Sequence, residues 1–275
     1  MTGGREASRL RMALRCLALL FGTLVAQQPA SAQSTVRVDV TGQVSHAGML
    51  DLPAQARLHD AAAAAGVSHG AYSAGAGWYQ AHLIKSQQRL KAGIVFDLSL
   101  LGAGGAQHDG NQALTAAART MLAWVSLLPV TGRRPAVKLD PDLLEISRQD
   151  NYLVEAGDHL VYPARPETVR IIGAVAHPCV LPQRALQDVR TYLAACPASP
   201  VADKDTAYLI QPDGSVLSLG IALWNRSAPT TIAPGAVVFI PFDVHAISRL
   251  GTGHLNGELA DFLATQPLEP GDLSP

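Results

Sequence analysis

The chain has 275 residues, of which 48% are hydrophobic and 16% are charged, and its formal net charge is -1. A near-neutral chain of this kind argues against nucleic acid or an anionic membrane surface as the main partner. Its length suits one large domain or two small domains with their own cores.

The N-terminus has the three parts of a secretory signal in the required order. Residues 1–15 contain four arginines, residues 17–26 are mostly apolar, and a small-residue Ala-Ser-Ala sequence ends at Ala32. We therefore expect the first 32 residues to be a signal peptide that is cleaved between Ala32 and Gln33. Cys16 precedes the apolar run, so no lipid anchor is expected. The alternative is a buried N-terminal helix.

An internal repeat organises the rest of the chain, with copies that begin over residues 36–66 and 169–196. In both copies, β-branched residues lead into Gly-x-Val-x-His, a turn, a Leu-Pro pair and a helical pattern. The alternation of Val36, Val38 and Val40 predicts a strand with one buried face. Each copy therefore predicts a strand, a turn, a second strand and a helix.

Both copies also end alike, with a glycine turn followed by a short apolar strand that stops at Pro163 or Pro241. Two small α+β domains in tandem follow from this pattern. Their predicted limits are residues 33–166 and 167–243.

The first copy is interrupted by an insert over about residues 76–128. Two segments of the insert carry apolar residues at helical intervals, and a glycine-rich loop over residues 102–110 separates them. The second segment stops at Pro129. These features predict a helical hairpin inserted in the first domain, and the alternative is a separate helical domain.

The tail over residues 244–275 contains one short amphipathic segment between Leu255 and Leu263. Gly257 weakens this helix by up to about 1 kcal/mol relative to alanine. We expect the segment to pack on a surface. It is too short to cross a membrane, which takes about 20 residues, and no other segment after the N-terminal region is long and apolar enough.

Two cysteines, Cys179 and Cys196, remain after removal of the predicted signal. Disulfides persist in the compartments to which exported proteins are sent. We therefore predict a disulfide between them, and the alternative is two buried free thiols.

Several motifs, in one order along nearly the whole mature chain, carry a family resemblance. The repeated units resemble SLBB-type β-grasp domains of polysaccharide export proteins, and the chain as a whole resembles the capsule biosynthesis GfcC family. The motifs are Gln87–Gly93, Leu128–Arg133, Gly157-Asp158, Arg165-Pro166, Gln211–Gly214 and Leu223–Asn225.

The resemblance implies a periplasmic protein with two β-grasp domains, a helical hairpin in the first domain and a C-terminal amphipathic helix. It implies a role in the assembly or export of group 4 capsule or exopolysaccharide. It supplies no catalytic residues and no cofactor. The chain departs from the SLBB pattern at Ala47, Pro178 and Cys179, where Pro-Gly is usual.

Other chemistries find weak support in the sequence. The nine histidines are scattered without zinc-site spacing, and His46 and His177 occupy equivalent turn positions, so no metal site is expected. The glycine-rich segment 251–257 lacks the strand, helix and acidic residue of a dinucleotide site. There is no Gly-x-Ser-x-Gly nucleophile motif. Nothing in the sequence points to the paired carboxylates across a cleft that glycosidases use.

Two residues are candidates for ligand binding. Arg133 follows a Thr-Gly turn after the hairpin, where its guanidinium could bind an acidic sugar. The alternative is a structural arginine that ties the hairpin to the sheet. Trp78 lies near a glycine-rich loop and is the tryptophan expected to be exposed to a sugar ring, whereas Trp124 is expected in the core and Trp224 half-buried.

The sequence thus predicts a periplasmic, non-enzymatic accessory protein for capsule or exopolysaccharide biosynthesis, assembly or export. Its expected partners are the polysaccharide or proteins of the export machinery, and it is expected to be a monomer. One alternative is a periplasmic enzyme that modifies the glycan. The other is a structural subunit of the export complex.

Overall fold

A computed structural model describes residues 34–104 and 112–268. The predicted signal peptide and its cleavage site between Ala32 and Gln33 lie outside the described residues. Within the described residues, no helix has both the length and the apolar character needed to cross a membrane.

The first domain is built on a four-stranded mixed sheet with the order β2-β1-β4-β3. Strands β1 and β2 form an antiparallel hairpin, β4 pairs parallel with β1, and β3 pairs antiparallel with β4. Helix α1 follows β2 and packs on the sheet. The bounds are β1 Thr35–Gly42, β2 Gly48–Pro53, α1 Leu58–Ala65, β3 Gly77–Tyr79 and β4 His159–Tyr162.

The predicted valine alternation is present in this domain. Val36, Val38 and Val40 are all buried in the core of the first domain. Helix α1 ends because Gly66 adopts the left-handed conformation, with φ of 62°, that glycine reaches without steric cost.

A helical hairpin interrupts the first domain after β3. Its helices are α2 (Ile84–Ala103) and α3 (Gln112–Leu127). The chain returns to the sheet at Arg133, whose backbone forms an antiparallel bridge with Tyr79. The expected insert included residues 77–79, but these form β3 at the edge of the sheet. A short helix, α4 (Pro141–Ile146), then leads back towards β4.

The second domain has a five-stranded mixed sheet with the order β6-β5-β9-β7-β8. Its first two strands form an antiparallel hairpin and its last strand pairs parallel with the first, as in the first domain. This is the β-grasp arrangement, with one helix on the sheet. The bounds are β5 Thr168–Gly173, β6 Cys179–Pro182, α5 Val189–Ala195, β7 Thr206–Ile210, β8 Val216–Gly220 and β9 Val237–Ile240.

Two glycines show that the repeat in the sequence is a repeat in the structure. Gly42 and Gly173 end the first strand of each domain with φ of 100° and 102°. A Cβ atom would lie 2.0 Å from the carbonyl oxygen of Tyr162 at Gly42, and 2.2 Å from that of Ile240 at Gly173. In both domains only glycine permits the parallel strand to approach this closely.

The hairpin buries its apolar stripe in the core of the second domain. Residues of α2 and α3, including Leu98 and Trp124, belong to the same cluster of buried side chains as Ile171 and Val238 of the second sheet. The rest of the first domain has a core of its own. The inserted hairpin therefore ties the two domains together through hydrophobic burial.

The tail contributes to the same shared core. It forms α6 (Val244–Ser248) and α7 (Leu255–Ala264), and the apolar residues of α7 are buried against α2 and the second sheet. The Asn256 side chain fixes the start of α7, since it accepts from the backbone N–H of Phe242 at 3.1 Å and donates to its carbonyl at 2.7 Å.

Cys179 and Cys196 form a disulfide, as predicted, with a Cα–Cα distance of 6.1 Å. The bond joins the first residue of β6 to the residue that follows α5. It therefore fixes the helix of the second domain to an edge strand.

Replacing Leu98 by alanine tests the shared core. Leu98 is fully buried, so the Leu98→Ala variant should lose about 2–5 kcal/mol of unfolding free energy, measured by urea denaturation. Phe96 lies on the same helix with 63% of its surface exposed, and Phe96→Ala should change stability by about 0.5 kcal/mol or less. Equal losses in the two variants would contradict the burial of the hairpin stripe.

Removing the disulfide tests its contribution. The two cysteines are 17 positions apart, and the chain-entropy model gives such a loop about 3 kcal/mol of stabilisation. The double variant Cys179→Ala and Cys196→Ala should therefore lose about that much unfolding free energy. Denatured without reductant, the chain from Gln33 onward should show no reactive thiol, and two reactive thiols would rule out the bond.

Candidate functional site

A cavity of about 810 Å³ lies where the two sheets and the end of the tail meet. Its walls come from the end of β1, the segment that joins β4 to β5, the start of β9 and the residues that follow α7. The charged and amide side chains in its lining are Gln43, Arg133, Arg165, Glu167, Arg170 and Gln266.

Arg133 connects four parts of the chain through its guanidinium. Nη1 donates to the carbonyl of Gln266 at 2.9 Å, after α7. Nη2 donates to the carbonyl of Pro212 at 2.5 Å in the second domain, and to that of Ala76 at 3.3 Å in the first. The side chain is thus a structural crosslink between both domains, the hairpin and the tail.

The turn that carries Arg133 is held from both sides. The Gln87 side chain accepts from the backbone N–H of Gly132 and donates to the carbonyl of Arg133, both at 2.8 Å. The Thr131 hydroxyl donates to the carbonyl of Thr265 at 2.7 Å and accepts from the backbone N–H of Arg133. The guanidinium is therefore preorganised before any ligand arrives.

The charge of Arg133 has no carboxylate partner among the ion pairs of the described residues. The residue is 3% exposed, and burial lowers its pKa from the ordinary arginine value. Its Nε is buried without a hydrogen-bond partner. A buried cation that meets only neutral carbonyls favours an anionic group nearby.

Two further arginines give the cavity an excess of positive charge. Arg165 and Arg170 line it with Arg133, against the single carboxylate of Glu167 among the described lining residues. Arg165 is exposed and its guanidinium carbon lies 5.4 Å from the centroid of the Tyr72 ring, which orients it. The cavity can therefore attract an anion through the exposed Arg165 and the positive charge of Arg133.

Comparison with known families decides the identity of the domains. The model for "Capsule biosynthesis GfcC, N-terminal" matches residues 32–166, and the model for "Capsule biosynthesis GfcC C-terminal" matches residues 177–267. The chain belongs to the capsule biosynthesis GfcC family. This membership supports a role related to capsule.

One curated relative is the "Uncharacterized protein YjbG" of Escherichia coli (strain K12). It is 27% identical over 143 residues, which cover 52% of this chain and 57% of the relative. The chain therefore matches less than two thirds of that relative's length.

The expectation that Trp78 is exposed to a sugar ring is wrong. Trp78 is 1% exposed because it lies on β3, inside the core of the first domain. Its Nε1 donates to the buried carboxylate of Asp158 at 2.8 Å. Arg134 and Tyr152 cover the ring, with the guanidinium carbon of Arg134 5.3 Å from the ring centroid. Trp78 thus fixes the first sheet of this GfcC-family chain and offers no face to a ligand.

The position expected for Trp224 is also corrected, whereas Trp124 is buried as expected. Trp224 is 77% exposed, beside Leu223, in the segment that follows β8. Its Nε1 donates to Asp205 at 3.1 Å, and the side chain of Asn225 ties this segment to the backbone of Asp205. The segment is therefore held outside the sheet, which leaves the indole in solvent.

The sequence identified Arg133 but missed the arginines that share its cavity. Arg165 lies in a family motif and Arg170 in the repeated strand β5. Arg165 follows the end of β4, and Arg170 lies on β5. The sequence does show that both arginines are near the junction of the two domains. Whether they share a cavity depends on how the two sheets are placed relative to each other, which the sequence does not show.

Substituting lysine for Arg133 tests the crosslink. A lysine ammonium lacks the planar fork that reaches three carbonyls, so Arg133→Lys should lower the unfolding free energy by about 1–3 kcal/mol in urea denaturation. The matched control is Arg165→Lys at the exposed side of the same cavity, with an expected change of about 0.5 kcal/mol or less. A similar loss in both variants would argue against the crosslink.

Proposed function

We propose that this chain is a periplasmic, non-enzymatic accessory protein of capsule or exopolysaccharide assembly and export, which binds an acidic segment of the glycan in the arginine-lined cavity. The observation that carries the proposal is Arg133, a buried and preorganised guanidinium in the cavity lining whose charge has no carboxylate partner among the ion pairs of the described residues. Membership in a capsule biosynthesis family supplies the class of glycan.

The charges of the cavity favour an acidic sugar over a neutral one. A neutral sugar would leave the buried charge of Arg133 without a carboxylate partner among the ion pairs of the described residues, next to the exposed Arg165. A uronate or other acidic substituent would supply a negative charge opposite Arg133 and Arg165. The volume of about 810 Å³ falls in the usual range of small-molecule sites, about 300–1,000 Å³.

Binding without turnover is favoured by the carboxylates near the cavity. Glycoside hydrolysis uses two carboxylates on opposite sides of the scissile bond, whereas the described part of the cavity lining has one, Glu167.

The disulfide supports the proposed compartment. Disulfides are rare where glutathione and thioredoxin keep thiols reduced, and the periplasm is oxidising. The bond between Cys179 and Cys196 is therefore consistent with export, as is the predicted signal peptide.

A glycan titration tests the binding role. The mature protein is titrated in a calorimeter with a uronic-acid oligosaccharide and, separately, with a neutral oligosaccharide of equal length. We expect saturable binding of the acidic oligosaccharide that weakens with added salt, because surface arginines contribute screened attraction. The Arg165→Gln variant should bind at least tenfold more weakly.

Arg249→Gln is the matched control, because Arg249 is exposed and does not line the cavity. It should bind like the unchanged protein. Equal weakening in both variants would indicate nonspecific charge attraction. Release of shortened or modified sugars during the titration would instead favour the glycan-modifying enzyme.

A deletion strain tests the pathway in the cell. Loss of the gene should lower the amount of polysaccharide attached to the cell surface relative to the amount released into the medium. Complementation with Arg249→Gln should restore attachment, and complementation with Arg165→Gln should not. Normal attachment and export in the deletion strain would overturn the assignment to this pathway.

A further inference from the structure

A second cluster of charged side chains lies where the hairpin meets the start of the tail helix. Asp97 projects from α2, and His254 and Glu258 lie four positions apart at the start of α7. Their ligand atoms all lie within 4.8 Å of one another. None of these three residues lines the arginine cavity.

The distances match the coordination sphere of a small transition-metal ion. His254 Nε2 lies 3.1 Å from Asp97 Oδ2 and 3.8 Å from Glu258 Oε1. Two ligands on one tetrahedral zinc ion are about 3.4 Å apart, because zinc binds nitrogen and oxygen at about 2.0–2.2 Å. The Glu258 side chain is one-third exposed and can adjust to complete the geometry.

The Asp97 carboxylate supplies the independent observation that points to a ligand. Its side chain is only 9% exposed, and Oδ2 is buried without a hydrogen-bond partner. The imidazole of His254 is close, but its N–H is not directed at Oδ2 in hydrogen-bond geometry. A buried carboxylate oxygen is costly unless something compensates it, and a bound cation would do so.

The charge balance favours a cation as well. Two carboxylates face one imidazole, and the ion pairs of Asp97 and Glu258 in the described part of the chain are both with His254. His254 is 59% exposed, which provides a path for the ion.

We propose that Asp97, His254 and Glu258 bind a divalent transition-metal ion, with Zn²⁺ the best fit. Three protein ligands leave a fourth position for water. An imidazole ligand favours zinc over Ca²⁺ and Mg²⁺, which prefer oxygen ligands throughout. Because the ligands come from α2 and α7, the ion fixes the tail helix to the inserted hairpin.

This site was not predicted from the sequence. The i, i+4 spacing of His254 and Glu258 was a partial signal, since it places two ligands on one helix face. The third ligand comes from the hairpin, much earlier in the chain, and only the packing of α7 on α2 brings it into place.

Zinc binding to the untagged full-length protein tests the proposal. The protein is stripped with a chelator and titrated with zinc chloride by calorimetry, with calcium and magnesium chloride as parallel titrants. We expect one zinc ion per chain, bound at least tenfold more tightly than calcium or magnesium. Hydrogen exchange of the amides in α7 should slow when zinc is added.

Three variants remove one ligand each, Asp97→Asn, His254→Ala and Glu258→Gln, and each should weaken zinc binding at least tenfold. The matched control is His245→Ala, an exposed histidine on α6, which should bind zinc like the unchanged protein. If Asp97→Asn does not fold, the other two variants decide, because their side chains are more exposed.

Absence of saturable zinc binding would overturn the proposal. Equal affinity in the unchanged protein and in the ligand variants would also overturn it, as would an equal loss in His245→Ala. These results would leave the glycan-binding proposal untouched, because it rests on a different cavity.

Discussion

The burial of the inserted hairpin in the second domain is the interaction on which the rest of the structure depends. Helices α2 and α3 belong to the first domain by chain order, yet their apolar residues share a core with the second sheet and α7. Two β-grasp domains with separate cores would be free to move about their short linker. The shared core fixes their relation, and this fixed relation creates the cavity between them.

Arg133 is the polar counterpart of that hydrophobic contact. Its three carbonyl partners belong to segments that are distant in sequence, so their convergence requires the domains, hairpin and tail to be packed already. The structural and the functional interpretations of Arg133 are therefore compatible. The Nη atoms are used by the protein, while the positive charge remains to attract a ligand in the cavity.

The sequence predicted local structure well and long-range placement poorly. The repeat, the valine alternation, the hairpin helices and the disulfide follow from patterns within short segments or from cysteine pairing. Trp78 was misjudged because its glycine-rich surroundings suggest a loop, whereas β3 pairs with β4, about 80 positions later. Arg165 lies in the cavity and Asp97 lies beside His254 and Glu258 only because of tertiary packing. The spacing of residues along the sequence does not predict such contacts.

Gln266 links the cavity to the docking of the tail. Gln266 lies two residues after the end of α7 and lines the cavity. Its carbonyl accepts from Arg133, and its side chain donates to the carbonyl of Pro129. A ligand that competed for Nη1 of Arg133 would have to displace this carbonyl and loosen the tail. A ligand that binds Arg165 and is attracted by the charge of Arg133 needs no such displacement. The geometry therefore favours a ligand that adds to the existing contacts, so that glycan binding and a docked tail helix occur together.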